Sequence, residues 1–197
     1  ARPARADRRD PAARGLGEGC RSLSDTVVIT STKNPRVAAA AALRDRRARD
    51  EAGLTLVDGV RELSRALEGG AKVAEVFLDA EAVSAAGEEV VDRARAAGAT
   101  VTRVGATIIG RLAYGDRSEG LVATVGIPDL ALDALPLPPD PLVLVLEAVE
   151  KPGNLGAVLR SADGAGVDAV ILADPRTDPF NPNAVRASLG TIFATRL

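Results

Sequence analysis

The 197-residue sequence contains no histidine and a single cysteine, Cys20. Without histidine, Ser-His-Asp catalysis, Cys-His catalysis and histidine-ligated zinc are excluded. One cysteine cannot form an internal disulfide or a paired-cysteine redox centre. Acid–base chemistry would therefore have to use carboxylates, lysine, arginine or Tyr114. We expect no metal site.

Aromatic side chains and long apolar runs are also scarce. With three phenylalanines and one tyrosine, the chain cannot build the base-stacking platform of an RRM-type RNA-binding domain. No apolar run approaches the roughly 20 residues that span a bilayer. The first residues are rich in arginine and proline and lack a secretory pattern. We therefore expect a cytoplasmic protein without a membrane segment.

The chain has enough apolar residues, 46%, to build a core, and its charge is unevenly distributed. Residues 1–50 carry 12 basic and 6 acidic side chains, whereas residues 51–197 carry 13 basic and 21 acidic ones. The positive end of the chain is where a polyanion would bind. A solvated, arginine-rich leader explains part of this excess, because residues 1–24 are predicted to be disordered.

Two α/β units are predicted. In the first, residues 25–126, Asn34 caps one helix from 35 to about 51, and strands and helices then alternate. Residues 127–140 are a proline-rich linker. Residues 141–197 begin a second unit with a buried parallel strand and a helix. The predicted strands are 54–58, 73–79, 100–104, 120–126, 142–146 and 169–173. The other predicted helices are 60–68, 81–97 and 108–113, and a further helix follows a glycine-bearing turn after strand 142–146 and ends at about Ala165.

The turn and helix after strand 142–146 carry the most informative pattern. One helical stripe is apolar and suits packing on a sheet; it consists of Leu155, Val158, Leu159 and Ala162. A second stripe combines Gly153, Gly156 and Gly164 with Arg160, so a backbone or a ligand can approach closely beside a fixed cation. Two interpretations stay open here: a ligand site, or packing glycines with Asn154 as an N-cap and Arg160 on the surface. The spacing fits neither a dinucleotide fingerprint nor a P-loop.

The pattern Asn154-x-Gly156-x-x-x-Arg160-x-Ala162, after an apolar strand and a Pro-Gly turn, resembles the first signature motif of the SpoU family. This family comprises RNA 2′-O-methyltransferases of the SPOUT class, some of which confer resistance to ribosome-targeting drugs. The block Arg186-Ala-Ser188-Leu-Gly190 is similar to the family's next conserved segment.

The first half of the chain resembles the substrate-binding domain that these enzymes often carry. The resemblance rests on Thr30-Ser31-x-x-Asn34-Pro35, Asp58-Gly59-x-Arg61-Glu62 and Glu119-Gly120-Leu-Val-Ala123. Asp58 replaces the usual glutamate on what we predict to be an exposed turn. The implied fold class is α/β: a ribosomal-protein-like RNA-binding domain, a linker, and a partial SPOUT α/β-knot methyltransferase domain.

The resemblance implies S-adenosyl-L-methionine-dependent methylation of a ribose 2′-hydroxyl in structured RNA by a homodimer. The favoured substrate is 23S rRNA; tRNA and an RNA-binding module without activity are the alternatives. Arg160 is the implied catalytic residue and Asn154 its partner. We expect the knot and cofactor motifs to lie beyond Leu197, so no cofactor ligand is predicted. The predicted RNA-binding residues are Lys33, Asn34, Arg36, Arg44, Arg46, Arg47, Arg49, Arg61, Arg186 and Ser188.

For two of these residues the interpretation stays open. Arg186 and Ser188 either contact RNA or shape the pocket, and a structural role at the end of a helix fits them equally well.

Overall fold

A computed structural model describes residues 28–114 and 118–197 of the chain, so the predicted leader lies outside the described residues. The first part contains five helices and four strands. The helices are α1 (Pro35–Ala42), α2 (Arg46–Ala52), α3 (Val60–Glu68), α4 (Ala85–Ala96) and α5 (Ala106–Leu112), and the strands are β1 (Leu54–Asp58), β2 (Val73–Leu78), β3 (Thr100–Arg103) and β4 (Leu121–Gly126).

The four strands form one mixed sheet in the order β1-β4-β2-β3. Strand β4 runs antiparallel to both of its neighbours, and β2 and β3 are parallel. Side chains alternate between the two faces along each strand. Apolar side chains therefore lie on both faces of this sheet, and helices cover each of them. Leu56, Phe77 and Val122 pack with α1 and α5 on one face. Val57 and Ala123 belong to the core on the other face, under α3 and α4.

The single helix predicted from 35 to about 51 is wrong, because the structure has two helices there. Asn34 caps α1 as predicted, its side chain accepting from the Arg36 amide at 2.9 Å. Helix α1 ends at Ala42, and Asp45 then caps α2 by accepting from the Arg47 amide at 2.9 Å. An aspartate that competes for backbone amides starts a new helix more readily than it continues an old one.

The second part is built from β5 (Val143–Glu147), α6 (Pro152–Gly164), β6 (Ala169–Ala173), α7 (Pro182–Ala187) and α8 (Thr191–Ala194). Strands β5 and β6 pair in parallel around the α6 crossover. Between the two parts, the linker region holds one short 3₁₀ turn, Leu132–Ala134.

Strand β5 is less buried than predicted. Leu144 and Leu146 pack against the core that contains Leu155 and Leu159. Val145 points to the opposite face of the strand, and it is 58% exposed. The predicted parallel strand is present, but it is only partly buried in the described part of the chain, where one face of β5 is covered.

The two parts share one hydrophobic core, which continues from the α3–α4 face of the first sheet to Leu155 and Phe180. Helices α7 and α8 form most of the junction, and the rings of Phe180 and Phe193 lie 5.7 Å apart within it. Across residues 28–114 and 118–197, the helices are all too short or too polar to cross a membrane.

Candidate active site and RNA-binding surface

Helix α6 carries the residues of the predicted signature motif. Pro152 is its first residue and Lys151 is the N-cap position, so Asn154 lies inside the first turn. The alternative in which Asn154 caps the helix is therefore wrong. Asn154 is exposed at the end of the sheet where β5 also ends, and ligands of open α/β sheets bind at this carboxyl edge.

Arg160 lies two turns further along α6 and is exposed. Its Nη1 donates a hydrogen bond to the carbonyl oxygen of Ala187, the last residue of α7. One turn before it, Gly156 lies against α7: a Cβ atom added there would be 2.5 Å from the Ala187 carbonyl carbon. Packing therefore explains Gly156, whereas an added Cβ at Gly153 or Gly164 would meet nothing within 4 Å.

The carboxyl edge of the β5–β6 pair has unusual backbone geometry. Ala148 (φ 51°) and Asp174 (φ 47°) directly follow the two strands and adopt left-handed conformations. The Ala148 amide donates to the Ala173 carbonyl at 3.0 Å. A non-glycine residue in this region costs about 1–3 kcal/mol, and such residues cluster at ligand sites. The strained turns lie at the same sheet edge as the start of α6.

Asp58, predicted to lie on an exposed turn, is buried at the junction of the two parts, and that prediction is wrong. Its side chain is 5% exposed, and Oδ2 lies 2.7 Å from Nη1 of Arg186. The same oxygen accepts from the Tyr114 amide at 2.7 Å. Burial raises the pKa of the Asp58 carboxyl, and Glu119 also raises it, while the Tyr114 amide and Arg186 oppose the shift.

Arg49 is not available to RNA, so its predicted RNA-binding role is wrong. Its side chain is 1% exposed and forms an ion pair with Asp178 in the second part. Nη1 also donates to the carbonyl oxygens of Leu43 at 2.8 Å and Arg44 at 2.9 Å. The arginine fork therefore joins the end of α1 to the second part of the chain.

Ser188 is likewise unavailable to RNA. It is fully buried, and its hydroxyl donates to the Val185 carbonyl at 2.7 Å. The structural alternative is correct for Ser188. Arg186 remains 39% exposed on the side chain although one of its nitrogens holds Asp58.

The other predicted RNA-binding cations lie on the surface of the first part. Arg46 and Arg47 are highly accessible, at 68% and 87% side-chain exposure, with one-turn ion pairs to Asp50 and Glu51. Arg44 donates to the Ala113 carbonyl at 2.6 Å. The remaining predicted residues are Arg36, which pairs with Glu75 at 2.6 Å, Asn34, which caps α1, and the exposed Lys33 and Arg61.

Two contacts at the junction were not anticipated from the sequence. Nδ2 of Asn183 donates to the hydroxyl of Tyr114 at 2.7 Å, and the hydroxyl of Thr55 donates to the Phe180 carbonyl at 2.6 Å. The local signal of Asn183, a polar residue at the start of a helix, gives no information about a partner 69 positions away.

Two clefts among the described residues lie near the predicted site. A cleft of about 980 Å³ lies between α3, α4 and α7, with Asp58, Glu62, Arg61 and Arg186 among its lining residues. An apolar groove of about 360 Å³ lies beside α6, and neither cleft includes Asn154 or Arg160. These two clefts therefore do not provide an S-adenosyl-L-methionine pocket around Asn154 and Arg160. No metal-binding cluster of His, Cys, Asp or Glu occurs among the described residues.

Comparison with known proteins identifies both parts. Residues 34–123 match the MRM3-like substrate binding domain, and residues 141–197 match the SpoU rRNA Methylase family. The chain therefore has the organisation of an RNA methylase, with a substrate-binding domain ahead of the methylase fold. The predicted resemblance to the SpoU family and the predicted α/β fold class are confirmed.

Similar proteins include the 23S rRNA (uridine(2479)-2′-O)-methyltransferase of Streptomyces viridochromogenes. It is 33% identical over 159 residues, which cover 78% of this chain and 53% of that protein. An rRNA methyltransferase from Sinorhizobium meliloti, solved with AdoMet bound, is 29% identical with a TM-score of 0.74 over 86% of this chain. An RNA 2′-O ribose methyltransferase structure is 36% identical with a TM-score of 0.73.

This chain spans only part of these proteins. It covers 53% of the Streptomyces protein, and it covers 62% and 64% of the two structures.

Proposed function

We propose that the protein carrying this chain methylates a ribose 2′-hydroxyl of 23S rRNA, with S-adenosyl-L-methionine as the methyl donor. The observation that supports this most strongly is the combination, in one chain, of a substrate-binding domain with a SpoU methylase domain. The named relatives support rRNA over tRNA as the substrate. An enzyme that acts on rRNA works where ribosomes are made, and we propose the cytoplasm.

Arg160 is the proposed catalytic residue. As the ribose hydroxyl gives up its proton to water or a phosphate oxygen, negative charge develops on its oxygen, and a fixed cation stabilises that charge until the oxygen bonds to the methyl group. A guanidinium keeps its proton at neutral pH, so Arg160 acts by charge and hydrogen bonding rather than as a base. Its Nη1 is held by Ala187, which leaves its other donors to contact the ribose oxygen and the neighbouring phosphate. Asn154 is its proposed partner.

RNA binds to the first part of the chain through phosphate contacts. Arg46 and Arg47 are the best placed for this, because surface ion pairs such as theirs with Asp50 and Glu51 contribute only about 0–1 kcal/mol. A phosphate therefore displaces the carboxylates at little cost. Lys33 and Arg61 are exposed as well, and Arg44 and Arg36 keep some of their donors free of the contacts described above.

The domain division proposed for the protein is a leader over 1–24, a substrate-binding domain over 25–126, a linker over 127–140 and the methylase domain from 141. We also propose that the protein is a homodimer. The exposed apolar side chains of Leu142 and Val145 on the second part support a further contact there. Light scattering that finds a monomer with full methylation activity would contradict the dimer.

The decisive experiment compares Arg160→Ala with Arg95→Ala, a change at another exposed helical arginine. Single-turnover transfer of labelled methyl groups to rRNA fragments is measured beside a thermal melt. We expect Arg160→Ala to melt like the parent and to lose about 10²–10³ in rate, since this is typical for removal of one group that stabilises a developing oxyanion. Arg95→Ala should keep its rate.

Two outcomes contradict the proposal. If Arg160→Ala keeps a near-normal rate, Arg160 is not catalytic. If the parent protein binds rRNA tightly but transfers no methyl group when the donor is present, the protein is an RNA-binding module.

A further inference from the structure

The position of the Arg160 guanidinium depends on the end of helix α7. Its Nη1 donates to the carbonyl oxygen of Ala187, which is the final residue of that helix. Gly156 brings the backbones together one turn earlier, because an added Cβ would be 2.5 Å from Ala187 and 2.6 Å from the Ser188 amide nitrogen. Any displacement of the end of α7 would therefore move the hydrogen-bond acceptor that holds Arg160.

The end of α7 is in turn held by the substrate-binding domain. Arg186, the residue next to Ala187, donates from Nη1 to Oδ2 of Asp58 at 2.7 Å. Asp58 is the last residue of β1, and strand β1 pairs along its length with β4. The carboxylate thus belongs to a rigid sheet rather than to a loop, and it can serve as a fixed reference point.

Asp58 is itself held tightly in this position. Its Oδ2 also accepts from the Tyr114 amide at 2.7 Å, and the Tyr114 hydroxyl accepts from Asn183, near the start of α7. The other oxygen, Oδ1, is buried without a hydrogen-bond partner among the described residues. Because an unpaired buried carboxylate oxygen is costly, a purely stabilising role does not explain why an acidic residue occupies this position.

We infer that Asp58 is a positioning residue, which fixes the Arg160 guanidinium through Arg186 and the Ala187 carbonyl. The inference rests on the catalytic role proposed for Arg160. It means that the substrate-binding domain contributes to the rate of methyl transfer as well as to RNA affinity. A misplacement of about 1 Å can cost about 10²-fold in rate, so a residue that touches no substrate can have a large effect on catalysis.

The test measures single-turnover methyl transfer at saturating rRNA fragment and S-adenosyl-L-methionine, together with the Kd for the RNA. We expect Asp58→Asn, which keeps the shape of the side chain, to lower the rate by about 10- to 100-fold with an unchanged Kd. Arg186→Gln should lower the rate similarly and serves as the second variant if Asp58→Asn fails to fold. Adding Asp58→Asn to Arg160→Ala should slow the reaction no further, because Asp58 acts only through Arg160.

Thr55→Val is the matched control. Thr55 lies on the same strand and also contacts the second part, through the Phe180 carbonyl at 2.6 Å, but Phe180 precedes α7. This variant should be less stable and keep its rate.

Three results overturn the inference: a normal rate in folded Asp58→Asn and Arg186→Gln, an equal loss of rate in Thr55→Val, or an additive loss in the double variant. If Arg160→Ala itself keeps its rate, the proposed catalytic role falls as well. A slow Arg160→Ala with a normal Asp58→Asn overturns the positioning role alone.

Discussion

Arg47 and Arg49 lie two positions apart on α2, and the structure gives them opposite roles. Both have a carboxylate partner, but Arg47 is 87% exposed beside Glu51 and Arg49 is 1% exposed beside Asp178. Replacement of each residue by alanine should therefore change different properties. Arg49→Ala should lower the stability, and Arg47→Ala should weaken RNA binding.

The expected sizes follow from burial. Removal of one partner of a buried ion pair costs about 3–5 kcal/mol, and Arg49→Ala also leaves the Leu43 and Arg44 carbonyls without their donor. For a chain of this length, each kcal/mol shifts Tm by about 2–4 °C, so we expect a decrease of about 6–20 °C. Arg47→Ala should shift Tm little, since an exposed pair contributes about 0–1 kcal/mol. It should instead reduce the salt slope of RNA binding by about 0.7–0.9 for a lost phosphate contact.

Arg49→Lys separates the two explanations further. Lysine keeps the positive charge, so an electrostatic contribution to RNA binding would survive. It cannot bridge Asp178 and two carbonyls at once as the planar fork does, so the loss of stability should remain large. Thermal melts and RNA titrations at several salt concentrations measure both properties. A normal melt for Arg49→Ala, together with a reduced salt slope, would refute the structural role of Arg49.

Two further predictions concern Glu62 and Gly156. Burial raises the pKa of Glu62, and Glu119 and Asp58 add to the shift. The folded state therefore holds the Glu62 proton more tightly than the unfolded state does. The free energy of unfolding consequently declines as the pH rises from the unfolded pKa, about 4.3, through the raised pKa of the folded state. Glu62→Gln should be more stable than the parent at pH 7 and equally stable below about pH 4. Urea unfolding across this pH range measures the difference, with Glu88→Gln as the exposed control. A Glu62→Gln variant less stable than the parent at pH 7 would argue against a raised Glu62 pKa. Gly156→Ala should lower the stability by about 1–3 kcal/mol, because the added methyl group overpacks against α7. Gly153→Ala, where an added Cβ meets nothing within 4 Å, should be neutral or slightly stabilising. Calorimetry measures both variants, and equal effects would refute the packing role of Gly156.

Local sequence signals were sufficient for most of the fold. The bounds predicted for β1, α3 and β6 agree with Leu54–Asp58, Val60–Glu68 and Ala169–Ala173. In each case an apolar run of the right period stands next to glycine or a polar turn, so the information lies within a few residues. The prediction that the Asn154–Arg160 motif lies on the turn and helix after strand 142–146 depended on the same local signals.

The errors came from long-range pairing. Arg49 has the same local pattern as its exposed neighbours, and the carboxylate that balances its buried charge, Asp178, lies 129 positions away. Asp58 similarly depends on Arg186, 128 positions away. Because a single sequence does not reveal such partners, buried charged residues were interpreted as a solvated or RNA-binding surface. The break between α1 and α2 had a local signal, Asp45, which the alanine-rich pattern outweighed.

The junction has a consequence for whether similar proteins could exchange their substrate-binding domains. The two parts meet through matched side chains, Asp58 with Arg186 and Arg49 with Asp178, and through close packing of Gly190 against Glu62. A substrate-binding domain transplanted from a relative would need an acidic residue at the position of Asp58 and an arginine at the position of Arg49. Its backbone at the position of Glu62 would also have to leave room for Gly190. Chimeras that ignore this register would misalign the parts, whereas changes to the exposed arginines of α2 would alter the RNA surface and leave the junction intact.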